Sequence, residues 1–136
     1  LSIRRQRQMC IRDRLSHYPN VLAWVNGHVH ANNITAHHHA LDARRSWWEI
    51  NTASHVDFPQ MARIIELADN HDGTVSIFTT LIESNAPYQA DYDTTDPDGL
   101  ASLYREFGAN DIHTRMGRLG TSVDHNTELL LAHPWA

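Results

Sequence analysis

Between Pro19 and Gly27 the chain runs Asn20-Val21-Leu22-Ala23-Trp24-Val25-Asn26. Five apolar residues closed on both sides by turn formers are too short for an ordinary helix, and their β-branched and aromatic members favour a buried strand. Two histidines follow at once, in Gly27-His28-Val29-His30. In an extended segment the i, i+2 spacing puts both rings on one side, and Gly27 lets the backbone turn closely beneath them. Neutral imidazole suits Zn, Fe, Ni and Cu, and a loop at a strand end is where a rigid scaffold presents site residues.

Two histidines do not make a metal site, which generally needs three or four protein ligands. In a chain with 11 His the tetrapeptide alone leaves a polar, solvated loop as the competing reading. The tract His37-His38-His39 is a second candidate for metal binding. It falls in a polar segment, Asn32 to Ala43, that reads as a surface loop after a brief strand near Ile34. Ser54 and His55 are adjacent, so on a strand they point to opposite faces and cannot form a nucleophile–base pair. His55 remains a candidate to line a pocket at the strand end. Asp91, Asp93, Asp96 and Asp98 alternate as in a calcium loop, but the glycine and the terminal glutamate of that motif are misplaced; a solvated, disordered linker is the better account.

Further along, Trp47 to Thr52 has strand character and runs into Ala53-Ser54-His55. Ala62 to Ala68 and Val75 to Ile82 flank Asp69-Asn70-His71-Asp72-Gly73-Thr74, a pattern that predicts a hairpin. Residues 86–98 are rich in Asp, Thr and Pro. Pro97 and Asp98 then open a helix predicted over Gly99 to Phe107, where Leu100, Leu103, Tyr104 and Phe107 recur at helical spacing and Gly108 supplies the stop. Glu128 to Leu131 is a short apolar patch in what reads as a helical tail. Trp24, Trp47 and Trp48 are expected as core or strand-face aromatics, with stacking on a substrate an alternative for Trp47.

The formal net charge of -5 conceals an asymmetry. Residues 1–14 carry five Arg against Asp13, a net +4, and the remaining 122 residues carry -9. An acidic body argues against a nucleic-acid partner. The string Arg5-Gln6-Arg7-Gln8-Met9-Cys10-Ile11-Arg12-Asp13-Arg14 resembles a translation of sequencing-adapter read-through, so residues 1–14 are set aside and the protein proper is expected to begin near Leu15. Cys10, the only cysteine, goes with them, leaving no disulfide, thiolate site or cysteine nucleophile. No stretch approaches the roughly 20 consecutive apolar residues of a membrane span, and no membrane partner is expected. Apolar and charged fractions of 41% and 20% are ordinary for a globular domain.

The stretch Tyr18-Pro19-Asn20-Val21-Leu22-Ala23-Trp24-Val25-Asn26-Gly27-His28-Val29-His30 resembles the last shared block of the calcineurin-like metallophosphoesterases, in which a buried strand delivers a G-H-x-H loop to a dinuclear site. Trp48-Glu49-Ile50-Asn51-Thr52-Ala53-Ser54 is similar to the strand that follows there, written N-x-G-S, with Ala53 in place of glycine. Its extension through His55-Val56-Asp57-Phe58-Pro59-Gln60, with the hairpin after it, resembles an actinobacterial-type branch with long insertions. The resemblance covers about Leu15 to Glu83.

That resemblance implies the C-terminal portion of a four-layer α/β/β/α sandwich, with residues 15–85 belonging to the phosphoesterase domain and 86–136 forming an acidic linker and helical tail. His28 would bind one metal and His30 the other, of two ions drawn from Fe, Mn or Zn, with Asn51, Ser54 and His55 lining the pocket. Asp57, Glu49 or a backbone carbonyl would hold the second imidazole nitrogen. The other ligands, in D-x-H, G-D-x-x-D, G-N-H-[DE] and an isolated histidine, would lie upstream, so the fragment alone is expected to be inactive. The substrate would be a phosphate ester, with mono- or diester left open, and the branch implies twin-arginine export of the complete protein. Two alternatives stand beside this reading: a non-catalytic His-rich metal-binding module, and a structural C-terminal module without metal.

Overall fold

A computed structural model describes residues 3–135 as a mixed α/β chain of two small three-stranded sheets and two helices. Helix α1, Ile3–Leu15, leads in. It covers nearly all of the segment set aside above; residues 1 and 2 of that segment lie outside the described residues. Its Arg, Gln, Met and Leu are good helix formers, and Arg12 and Arg14 in the last turn suit the negative end of the helix dipole.

The first sheet holds β1, Ala23–Asn26, β2, Asn33–His37, and β3, Trp47–Asn51, in the order β1-β3-β2. β1 lies parallel to β3, with Val25 opposite Ile50, and β2 antiparallel to it, with Ile34 opposite Ile50. The predicted strands are therefore present, but β1, expected as a buried strand, lies at the sheet edge with none of its residues buried and Val25 48% exposed; β2 is longer than a brief strand at Ile34 and takes His37 out of the expected loop. His37 stacks on Trp47 with ring centroids 3.9 Å apart and donates to Glu49 Oε2 at 2.9 Å. Trp47 is 1% exposed and donates from Nε1 to Ser16, so it packs the sheet and offers no face to a substrate.

The second sheet is antiparallel throughout: β4, Met61–Asp69, β5, Thr74–Glu83, and β6, Thr127–Ala132. β4 and β5 form the predicted hairpin. Asp69 Oδ1 accepts from His71 N and Asp72 Oδ1 from Thr74 N, while Gly73 takes φ 87°, a left-handed conformation that glycine adopts without steric cost. β6 corrects the expected helical tail. Leu129 and Leu131 are buried while Glu128 and Leu130 face out, a period of two that only a strand satisfies, and their partner is β5. Residues 86–136 thus complete the sheet begun by β4 and β5.

Ile50 from the first sheet meets Ile77, Leu129 and Leu131 from the second, flanked by Leu22, Ala23, Ile34, Trp48 and Ile65. Trp48 Nε1 also donates to Leu130 O across the two sheets. This is where the two layers share their apolar faces.

Helix α2, Pro97–Asn110, is capped by Asp96, whose Oδ1 accepts from Gly99 N at 2.8 Å. Gly108 does not stop it. The helix runs past it to Asn110, and a Cβ at Gly108 would meet only the end of the flexible Gln60 side chain, with Nε2 at 2.6 Å. The helix buries Ser102 and Arg105 and leaves Leu100, Tyr104 and Phe107 exposed. Arg105 donates to Glu83 and stands over the Tyr88 ring at 4.0 Å. The linker before it is tied down rather than disordered: Ala90 N and Tyr92 Oη both donate to Glu106. Among the described residues no helix is long and apolar enough to cross a membrane.

Ile50 is fully buried at the junction of both sheets. Truncation to alanine removes three buried methyl or methylene groups and leaves a cavity, so Ile50→Ala is expected to cost about 3 kcal/mol, read as a lower midpoint in urea unfolding followed by tryptophan fluorescence.

Candidate functional site

β1 ends at Asn26, and the chain closes a turn in which His30 N donates to Gly27 O at 3.3 Å. Residues 27–30 are therefore not extended, and the i, i+2 argument for placing both rings on one side fails. Gly27 keeps an ordinary φ and has room for a Cβ; the left-handed residue is His30, at φ 52°. A histidine held there is uncommon, and such outliers concentrate where the surrounding structure over-determines them.

The two rings go to different surroundings. His28 is exposed at an open cleft of about 450 Å³, with Trp24, Asn26, Glu49 and Asn51 in its wall. Asn51 is 5% exposed and donates to Ala31 O at 2.7 Å, while its Oδ1 is buried without a hydrogen-bond partner. Glu49 does not reach His28. It takes Arg12 from Nε and Nη2 at 3.1 and 2.9 Å, His37 at 2.9 Å and Asn26 at 3.4 Å.

His30 turns toward Asp57. Its Nδ1 lies 2.8 Å from Oδ1 and 3.0 Å from Oδ2, the latter in hydrogen-bonding geometry. Arg118 Nη1 donates to the same Oδ2 at 2.8 Å. Burial pushes the Asp57 carboxyl up, but the bond from His30 and the charges of His30 and Arg118 outweigh it and hold the group below the usual carboxylate range. An ionised carboxylate only accepts, so in the neutral imidazole Nδ1 carries the proton and Nε2 keeps its lone pair, while in the charged form both nitrogens are protonated. This is the arrangement by which a carboxylate prepares an imidazole for metal. It also decides among the partners named from sequence: Asp57 holds His30, and Glu49 serves His37 instead.

Of the residues expected to line the pocket, Asn51 shares the cleft with His28. Ser54 lies elsewhere: its hydroxyl accepts from Val56 N and its carbonyl from Met61 N. His55 is exposed, its carbonyl accepts from Tyr104 Oη, and it borders a separate cleft with Ala62, Ile82 and Arg105. His38 and His39 contact Ser46 and do not join His28. Among the described residues no three His, Cys, Asp or Glu side chains gather closely enough to hold a metal ion. The chain itself offers two imidazoles, one of them oriented by a carboxylate.

Sequence reasoning passed over Asn32, which is 1% exposed. Its Oδ1 accepts from Ala53 N and Arg63 Nη2, both at 3.2 Å; its Nδ2 donates to Leu119 O, and its main-chain N to Arg118 O. One amide thus joins the histidine loop to the end of β3, to β4 and to the tail. Beside it, Asp124 accepts from Ile34 N, Thr121 N and Thr121 Oγ1 at 2.7 to 2.8 Å. Burial raises its carboxyl, and these bonds more than offset that, so it is lowered overall.

Comparison of the chain with protein-family models, with curated proteins and with solved structures returned no match.

Asn32→Ala would leave Ala53 N and the Arg63 guanidinium without their shared acceptor. A loss of about 2–4 kcal/mol is expected, read by chemical denaturation, with the amide signals of residues 28–31 broadened or shifted in NMR spectra. Asp124 has its pKa lowered by folding, so its contribution is complete above the unfolded value of about 3.9 and is lost as pH falls through the lower folded value. Asp124→Asn is therefore expected to lower the urea midpoint at about pH 6 and to converge on the wild type toward about pH 2.

Proposed function

We propose that this chain is the C-terminal part of a dinuclear metallophosphoesterase, built on a four-layer α/β/β/α sandwich, that hydrolyses a phosphate ester. The observation that carries the proposal is the hydrogen bond from His30 Nδ1 to Asp57, made at the loop whose sequence, Gly27-His28-Val29-His30, resembles the metal-binding loop of that superfamily. The packing of two sheets through Ile50, Ile77, Leu129 and Leu131 is compatible with the inner layers of such a sandwich.

In this reading His30 offers Nε2 to one metal and His28 a ring nitrogen to the other, each chosen from Fe, Mn or Zn, with the remaining ligands supplied by upstream motifs. The metals would supply Lewis acidity toward the phosphoryl oxygens and activation of water. Asp57 orients His30 and keeps its proton on Nδ1. Asn51 stands in the wall of the cleft beside His28, with its Nδ2 committed to Ala31 O. The alternative of a His-rich metal module requires His37, His38 and His39 to join His28 and His30. The engagement of His37 with Glu49 and Trp47 argues against it.

The coding sequence upstream of Leu15 tests the proposal. Recovery of D-x-H, G-D-x-x-D and G-N-H-[DE] in that order is expected, and an in-frame start close to Leu15 would sink the enzyme reading. In the complete protein His28→Ala should remove one equivalent of metal, read by elemental analysis, and cut phosphoesterase turnover at least about 100-fold (the upper end of what loss of a supporting group alone would do). His38→Ala should change neither.

A further inference from the structure

Arg118 stands in a 3-10 turn, Met116–Leu119, on the far side of the acidic linker and α2. It nevertheless grips the histidine loop at two points. Its main-chain carbonyl accepts from Asn32 N at 2.9 Å, two residues beyond His30. Its guanidinium donates through Nη1 to Asp57 Oδ2 at 2.8 Å, and the same nitrogen lies 3.5 Å from Phe58 O.

Two donors, His30 Nδ1 and Arg118 Nη1, therefore converge on one carboxylate oxygen. The Asp57 side chain is 36% exposed, yet its Oδ1 is buried without a hydrogen-bond partner, so both of the bonds that fix the carboxylate's rotation go to Oδ2. A charge-assisted bond from a three-quarters-buried guanidinium keeps Oδ2 where the imidazole proton needs it.

We propose that Arg118 is a positioning residue for His30, acting through Asp57 to keep the proton on Nδ1 and the lone pair of Nε2 directed outward. The tail, on this view, belongs to the metal-binding apparatus rather than hanging from it. The inference rests on the metal role of His30 for its purpose, but the tautomer is a property of this chain and can be read without metal or substrate. The contact uses a single guanidinium nitrogen, so a lysine ammonium can stand in for it, whereas a methionine keeps the aliphatic stem and removes the donor.

The test is a long-range 1H–15N correlation spectrum of the 136-residue chain at about pH 8, where imidazole is neutral, for the wild type, Arg118→Met, Arg118→Lys and Asp57→Ala. The wild type should show His30 with a protonated, pyrrole-type Nδ1 and a pyridine-type Nε2. Asp57→Ala should interchange the two signals. Arg118→Met should collapse them toward a common average, reporting a mixture of tautomers, and Arg118→Lys should restore the wild-type pattern. Dispersed methyl signals from Ile50 and Ile77 check that each variant is folded, and Arg118→Leu, which also lacks a donor, replaces Arg118→Met if the latter is not.

A folded Arg118→Met or Arg118→Leu chain that keeps the pure Nδ1–H form overturns the proposal, as does a wild type with the proton on Nε2. Zinc added to the wild-type sample tests the underlying function separately. Perturbation of the His28 and His30 ring nitrogens supports the metal role, and no perturbation counts against that role while leaving the tautomer result to decide the part played by Arg118.

Discussion

A primary amide excluded from water must find partners for all its polar atoms, and Asn32, with its main-chain N–H, does so by reaching into three separate pieces of the chain. Those pieces are the end of β3, the guanidinium of Arg63 on β4, and two carbonyls in the turn around Arg118. Because each partner is itself shielded, the bonds act together: any displacement of the loop orphans several groups at once. The left-handed backbone at His30 is tolerable for this reason, since the chain two residues later has nowhere else to go. Gly120 shows how tightly the arrangement is drawn, for a Cβ there would come within 2.6 Å of Asn32 O.

The loop's two histidines are consequently held by different means. His30 is committed to Asp57 and hence to Arg118, whereas His28 faces an open cleft. The loop thus sends its two rings into different surroundings, whereas the ions of a dinuclear site lie only about 3.5–4 Å apart.

How much of this could be read beforehand depended on whether a local pattern or a distant partner decided the outcome. The apolar runs of β1 and β3 and the Asp-Gly hairpin of β4 and β5 carry their own geometry, and so does the Asp96-Pro97 start of α2. Leu129-Leu130-Leu131 is apolar throughout, so its period of two appears only when Ile77 and Val75 lie alongside. The stripe of Leu100, Tyr104 and Phe107 marked α2 as a helix, but these residues are exposed and the buried side carries Ser102 and Arg105, the latter held by Glu83 and Tyr88. At the candidate site the motif histidines were legible from their setting. Asn32 and Arg118 were not: neither belongs to a spacing pattern, and each owes its role to residues far away in sequence.

The pairing of β5 with β6 joins strands separated by the whole excursion from Glu83 to Thr127. Two of the four residues at the heart of the core, Leu129 and Leu131, therefore arrive last from the ribosome. Until they do, Ile50 and Ile77 have only the flanking Leu22, Ala23, Ile34, Trp48 and Ile65, and the nascent sheet keeps an open edge along β5. The entropy of closing so long a loop must be met before any of the core contacts reward it. Synthesis thus reaches a stage, with β1 to β5 complete and β6 still in the exit tunnel, at which the chain is at its most vulnerable to pairing with a neighbour.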